Sequence, residues 1–258
     1  MPKNITTFTE GIQALPVWST DAPAPNRGKG YVMVPTHEVA EIIQDHGFTP
    51  TSLSLVKTRQ PDKQAFARHL VRFRQDDPDF ADTDNGIVPE IILNTSHDGH
   101  NKLKFYAGYF RFVCSNGVIV GQGASMAFTH SGTDKDTILE ALGSVMGLFE
   151  GMREDMDAWR RKMLSDSDVK MFGVRAQHIA CPETFYDTMR QRQRPLDFND
   201  FVASRRDADA ENNLWNVFNR AQEATIKGVP NYRGARAVKR VLNTNLSLYA
   251  LAKEAYLW

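Results

Sequence analysis

Phe66-Ala67-Arg68-His69-Leu70-Val71-Arg72-Phe73-Arg74 alternates in character: one parity carries Arg68, Arg72 and Arg74, the other Ala67, His69, Val71 and Phe73. Side chains of an extended strand point to opposite faces in turn, so the stretch predicts a strand with one basic and one mostly apolar face. A second stretch, Lys102-Leu103-Lys104-Phe105-Tyr106-Ala107-Gly108-Tyr109-Phe110-Arg111-Phe112, keeps the period. Lys102, Lys104, Tyr106, Phe110 and Phe112 share one parity, and Leu103, Phe105, Tyr109 and Arg111 the other. Further strands are expected at 88–94 and 117–121, with Asp98-Gly99 and Asn116-Gly117 as hairpin-turn signals. The chain from 52 to 128 reads as an antiparallel meander.

Beyond residue 134 the period becomes helical. Ile138, Leu142, Val145, Phe149, Met152, Met156, Trp159 and Met163 alternate steps of four and three, which predicts one core-facing seam on an unbroken helix of about eight turns. Gly143, Gly147 and Gly151 recur on another face. Each costs about 1 kcal/mol of helix propensity, so their repetition predicts another backbone packed along them, from this chain or from a second copy in a homo-oligomer. Ser167 reads as the cap of a helix to about 180, Leu214, Val217, Phe218 and Ala221 mark one that stops at Gly228, and Asn245 reads as the cap of the last. Thr36 reads as the cap of a helix of about three turns that carries Val39, Ile42 and Ile43 and ends at Gly47. Residues 1–30 hold four of the twelve prolines and read as an extended arm. The expected fold class is α+β, a single domain over 1–258: arm 1–30, mainly β over 31–130, mainly α over 131–258. Its antiparallel sheet is packed against a long helix and several shorter C-terminal ones.

At 258 residues the chain can bury a substantial core. It is 41% hydrophobic and 24% charged, and no apolar run approaches the ~20 residues that span a bilayer, so no membrane partner is expected. Lys plus Arg and Asp plus Glu are both 31; the whole molecule is no polycation, and a polyanion must meet a local patch. Cys114 and Cys181 are the only cysteines and lack metal-type spacing, which argues against a disulfide framework or a structural zinc and fits a reducing cytoplasm. No secretion signal is read in Met1-Pro2-Lys3-Asn4-Ile5.

Charge is arranged in blocks. Residues 55–74 hold six Lys or Arg and one acid, whereas 76–98 hold seven acids and no Lys or Arg. A third block, 227–240, carries Lys227, Arg233, Arg236, Lys239 and Arg240 around Tyr232, and Arg190, Arg192 and Arg194 form a fourth. Cations beside rings on a sheet face offer what a single nucleic-acid strand needs, namely partners for phosphates and π-faces for bases. The plainer reading gives the cations to solvent and the rings to the core. Asn94-Thr95-Ser96-His97-Asp98-Gly99-His100 concentrates groups able to bind a metal for hydrolysis through His97, Asp98 and His100, but a tight turn does not supply a full ligand set from adjacent positions. Gly121-Gln122-Gly123-Ala124-Ser125 lacks the last glycine of a nucleophile elbow. No phosphate loop, dinucleotide fingerprint or paired-cysteine set is present. No cofactor is called for, and binding rather than catalysis is expected.

Asn94-Thr95-Ser96-His97-Asp98-Gly99, followed by Tyr109-Phe110-Arg111-Phe112-Val113-Cys114-Ser115-Asn116-Gly117, resembles a family of phage- and plasmid-encoded proteins described largely as a domain of unknown function. Asn213-Leu214-Trp215-Asn216-Val217-Phe218-Asn219-Arg220-Ala221 is similar to that family's late helical motif. Within the phage setting the chain resembles the single-stranded-DNA-binding cofactors of lytic phages that use their own small RNA polymerase. That resemblance implies a protein of the host-cell cytoplasm that coats melted promoter DNA and recruits the phage RNA polymerase, on a fold unlike the usual oligonucleotide-binding barrel. The residues expected to bind single-stranded DNA are Arg68, Arg72, Arg74, Lys102, Lys104 and Arg111 for phosphates and Tyr106 and Tyr109 for stacking. Arg233, Arg236, Lys239 and Arg240 extend the track, with Tyr232 as their stacking residue. The acidic segment either repels DNA locally or acts as an internal mimic of it. Two rivals are a protein-interaction module without DNA affinity and a metal-dependent hydrolase at His97, Asp98 and His100.

Overall fold

The computed structural model describes residues 5–7, 10–56, 58, 60–77, 86–112, 119–120, 126–128, 135–181, 197–228 and 235–258. They belong to two compact units: a sheet unit, Pro2–Phe149 with Tyr232–Val238, and a helical unit, Glu150–Asn231 with Lys239–Trp258. The fold class is α+β.

In the sheet unit, β1 (Ile5–Thr7), β2 (Phe48–Leu55), β3 (His69–Gln75), β4 (Ile87–Thr95), β5 (Leu103–Arg111) and β6 (Ile119–Val120) lie side by side in chain order, and β7 (Met126–Phe128) pairs with β5. All pairings are antiparallel. β3 begins at His69 rather than Phe66 because Pro61–Phe66 closes a 3-10 turn. β4 is buried along its whole length, as its run of Ile, Val and Leu demands. Asp98-Gly99 does turn the chain between β4 and β5, with Gly99 at φ 68°, a conformation that favours glycine. Asn116-Gly117 and Cys114 lie outside the described residues.

The helices of this unit are α1 (Glu10–Gln13), α2 (Pro16–Ser19), α3 (Thr36–Gln44) and α4 (Lys135–Met146). α3 packs on β2 and α4 on β5, bringing Val39, Ile43, Leu142 and Val145 into a core with Phe48, Phe73 and Phe105. Burying such side chains stabilises by about 1.5–3 kcal/mol each. The expected extended arm is corrected: β1 pairs with β2, and Ile12, Val17, Trp18 and Ala24 are buried, so apolar residues between the prolines dock the segment. Pro35, not Thr36, occupies the cap position of α3, which frees the Thr36 hydroxyl for two histidines.

The single eight-turn helix is also corrected. α4 stops at Met146 and α5 (Leu148–Arg161) starts beyond Gly147, where glycines have accumulated at a cost to helix propensity. Of the seam, Ile138, Leu142, Val145, Met152, Met156 and Trp159 are buried and Phe149 half-buried, whereas Met163 is exposed. No backbone follows the glycine stripe among the described residues. A Cβ on Gly143 or Gly151 would meet nothing within 4 Å, and one on Gly147 only the α4 carbonyls of Gly143 and Ser144 at 3.6 Å.

The helical unit continues α5 with α6 (Asp166–Ala180), α7 (Phe198–Val202), α8 (Leu214–Gly228) and α9 (Ala235–Ala255). Ser165, not Ser167, caps α6 in a reciprocal box with Asp168. Gly173 is where a backbone does approach: a Cβ there would lie 2.7 Å from Val202 Cγ1 and 2.9 Å from Phe198 O. Trp159 packs on Phe218 and Tyr249, with ring centroids 5.4 and 5.0 Å away. Asn245 is not a cap but a buried mid-helix residue whose side chain accepts from Gln222 Nε2 at 2.8 Å.

α8 is buried on all sides from Leu214 to Ala224, and its motif explains how. Asn213 Oδ1 accepts from the Asn216 backbone N–H at 2.9 Å, capping the helix. Arg220, 4% exposed, donates to the carbonyl oxygens of Asp209 (2.7 Å), Ala210 (2.8 Å), Glu211 (2.7 Å) and Val202 (3.2 Å), and to Asn212 Oδ1 at 2.9 Å. One guanidinium thereby fixes the loop between α7 and α8.

Candidate nucleic-acid interface

Register brings part of the expected site together. Arg74 lies opposite Glu90 and Arg72 opposite Ile92; across the next ladder Glu90 pairs with Gly108, Ile92 with Tyr106 and Asn94 with Lys104. Arg72, Arg74, Lys104, Tyr106 and Phe110 therefore share one face of β3, β4 and β5. Arg68, just before β3, joins them through Nε, which donates to Asn94 Oδ1 at 3.0 Å. Lys102, of the same parity just before β5, is exposed.

At the centre of this face sits a carboxylate. Glu90 is fully buried and accepts from Arg72 Nη1 at 3.3 Å and Arg74 Nη2 at 3.0 Å. Burial pushes its carboxyl above the ordinary value, against the pull of the two guanidiniums, and burial likewise lowers Arg72. Arg74 also sits over Phe110, its Cζ 3.6 Å from the ring centroid and 5.6 Å from that of Phe112. Phe110 and Phe112 meet edge to face at 5.2 Å, and Phe112 is 56% exposed. The face thus holds a charged triad inside and a guanidinium beside an exposed ring at its margin.

Tyr109 and Arg111 do not belong to this face. Both point to the core side; the Tyr109 hydroxyl donates to Phe149 O at 2.9 Å and its ring lies edge-on to Phe149. Tyr106 is on the basic face but buried, beside Asn94 and Arg68, so it leaves no open ring for a base. The missed residues are Glu90, Asn94, Phe110 and Phe112. Parity already aligned the two phenylalanines with Lys102 and Lys104; nothing local singled Glu90 out of its acidic block.

The 227–240 block is divided. Tyr232 and Arg233 lie outside the described residues, as do the side chains of Lys227, Arg236 and Lys239, although Arg236, Lys239 and Arg240 all lie on α9. Arg240 donates to Ala180 O within the helical unit. Lys57, Arg59, residues 78–85 and the 190–194 arginines are outside the described residues too.

The turn after β4 is held internally. Asp98 Oδ1 accepts from Ser96 Oγ at 2.6 Å and from His100 N at 2.9 Å. His97 instead points inward to Thr36 and Ala65. His97, Asp98 and His100 therefore do not converge, and among the described residues no group of three His, Cys, Asp or Glu is placed to hold a metal ion. No helix among them is long and apolar enough to cross a membrane.

These features define an α+β protein with a two-faced antiparallel sheet and a helical unit built on a buried Asn/Arg-rich helix. Residues 25–250 match the family model described as Domain of unknown function (DUF932), and the chain belongs to that family. It is similar to UPF0380 protein YafZ and to UPF0380 protein YfjQ, both of Escherichia coli (strain K12). Each is 26% identical over 231 residues, covering 89% of this chain and 80% of the relative. No solved structure matches. The matched span contains the turn that follows β4 and the capped, arginine-caged α8.

Proposed function

We propose that the chain binds single-stranded DNA without sequence preference through the basic face of β3, β4 and β5. What carries this reading is the Arg74–Phe110–Phe112 arrangement, a guanidinium beside an exposed ring, on a face where Arg68, Arg72, Arg74 and Lys104 outnumber the one carboxylate of Glu90. Phosphates and π-faces are common to all bases, so affinity is sequence-tolerant. Glu90 takes the part of the internal mimic: it holds the charge of two arginines until a phosphate competes. Stacking falls to Phe112 and Phe110 rather than to the tyrosines. In its finer form, drawn from the resemblance to lytic-phage cofactors, the protein escorts a phage RNA polymerase to melted promoters.

Fluorescence anisotropy with a labelled single strand tests the assignment. Phe112→Ala is expected to weaken binding by about 1–3 kcal/mol, the worth of one stacked base, and Lys104→Ala to weaken it alike for all sequences, while Tyr109→Phe on the opposite face leaves affinity unchanged. Equal affinity in the wild type, Phe112→Ala and Lys104→Ala proteins overturns it. Co-purification with the cognate polymerase, dependent on added single strand, tests the finer form.

A further inference from the structure

Residues 20–35 form neither helix nor strand and cross the turn between β4 and β5, where Ala24 N donates to His97 O at 3.2 Å. Their tip is Arg27-Gly28-Lys29-Gly30-Tyr31. Arg27 N donates to Ala24 O at 3.0 Å and Tyr31 N to Gly28 O at 3.0 Å. Both ends of the tip rest on the turn: a Cβ on Gly99 would lie 3.1 Å from Tyr31 Cε2 and 3.2 Å from Arg27 Cδ. Lys29, between them, is thereby held beside the turn with its side chain exposed.

Two features of the tip are not explained by the fold. The Arg27 guanidinium is half-buried, yet its one hydrogen bond among the described residues runs from Nη2 to His100 Nε2 at 3.1 Å. Its Nε is buried without a partner, and no carboxylate among the described residues pairs with it. Asp98, the carboxylate of the turn, is taken by Ser96 Oγ and His100 N. A cation drawn partly out of water without a counter-ion is costly, and an anion supplied from outside offsets that cost. The glycines are the second feature. Neither Gly28 nor Gly30 has a positive φ, and a Cβ on either would meet nothing within 4 Å. Glycine is required there neither by backbone conformation nor by packing within the chain, and it leaves the backbone open to close approach by an external group.

The tip adjoins the basic face. Lys104 lies opposite Asn94, at the end of the sheet where β4 turns into β5, and the exposed Lys102 stands between Lys104 and that turn. Arg74, Phe110 and Phe112 are at the other end. From Lys104 to Phe112 the face runs about 27 Å, at ~3.4 Å per residue. An extended single strand advances roughly twice the ~3.4 Å per phosphate of stacked DNA, so about four nucleotides laid along β5 cover that stretch and a longer strand runs on to the turn. We propose that the Arg27–Tyr31 tip is a phosphate-binding subsite that takes the backbone of the same single strand beyond Lys102, through Arg27, Lys29 and the open glycine backbone. This subsite rests on the reading of the basic face as a single-strand track.

Anisotropy titrations of the full chain with labelled oligothymidylates of 4 and 12 nucleotides test it. Arg27→Gln keeps a donor for His100 and loses the charge, and Lys29→Gln alters only an exposed side chain. Each is expected to weaken binding of the 12-mer about three- to tenfold and to make its salt slope shallower by about 0.7, the share of one phosphate on a single strand. Both leave the 4-mer and the thermal midpoint unchanged. Gly28→Ala combined with Gly30→Ala weakens the 12-mer with no loss of stability. Wild-type affinity for the 12-mer in Arg27→Gln and Lys29→Gln, equal loss at both lengths, or full 12-mer affinity in the double alanine variant each overturns the subsite. The basic face fails separately: if the tip substitutions weaken the 12-mer while Phe112→Ala and Lys104→Ala do not, the subsite stands and the face falls. A wild type without affinity for single strands overturns both.

Discussion

Arg220 shows how much one side chain organises. Four of its five hydrogen bonds satisfy backbone carbonyls at the end of α7 and in the loop before α8, groups that have no helical partner, and the fifth meets Asn212 Oδ1. Arg220→Ala strands those acceptors in a buried place, and chemical denaturation is expected to show a loss of about 3 kcal/mol or more. Gly173 is the opposite case, a residue whose value is its missing side chain. Gly173→Ala forces α6 away from Phe198 and Val202 and is expected to cost about 1–3 kcal/mol by the same measurement, the usual range for overpacking. An unchanged midpoint in either variant contradicts the packing described.

At the scale of elements, the junction of α3, β3 and the turn after β4 sets a pH dependence. Burial first, and then the neighbouring His97, lower the His69 pKa from its ordinary 6.5 to about 3. The unfolded chain therefore takes up the proton first as pH falls. Stability contributed by the neutral ring is whole above about pH 6.5 and drains away toward about pH 3, at about 1.4 kcal/mol per pH unit. His69→Gln is expected to flatten the denaturation midpoint against pH across this window; a slope equal to that of the wild type contradicts it. The glycines of α4 and α5 give a second test. Because a Cβ on Gly143 or Gly151 meets open space, alanine at either is expected to stabilise by about 0.5–1 kcal/mol. A loss of stability would mean that a second copy packs there after all.

Across the whole molecule, the change of period from alternating to helical was enough to read the α+β class, because both periods follow from backbone geometry alone. Positions 68, 72 and 74, and 102–112, went to the correct faces for the same reason. Parity did not reveal that Glu90 would sit between Arg72 and Arg74, since pairing across strands is set by register, which a single strand does not display. Parity did set Tyr109 on the face opposite Lys102 and Lys104, but its count among the stacking rings went by residue type, and its hydroxyl serves Phe149 instead. Caps were misplaced by one or two residues at Thr36 and Ser167, where neighbouring residues compete for the same role. The functional reading rests on the face that register assembled, and salt is its most direct probe. In an anisotropy titration of mixed-sequence single strands against duplex, single strands are expected to bind more tightly. The logarithm of affinity should fall with that of salt at a slope near −3, as about four phosphate contacts require. Binding that is absent, indifferent to salt or stronger for duplex contradicts the account.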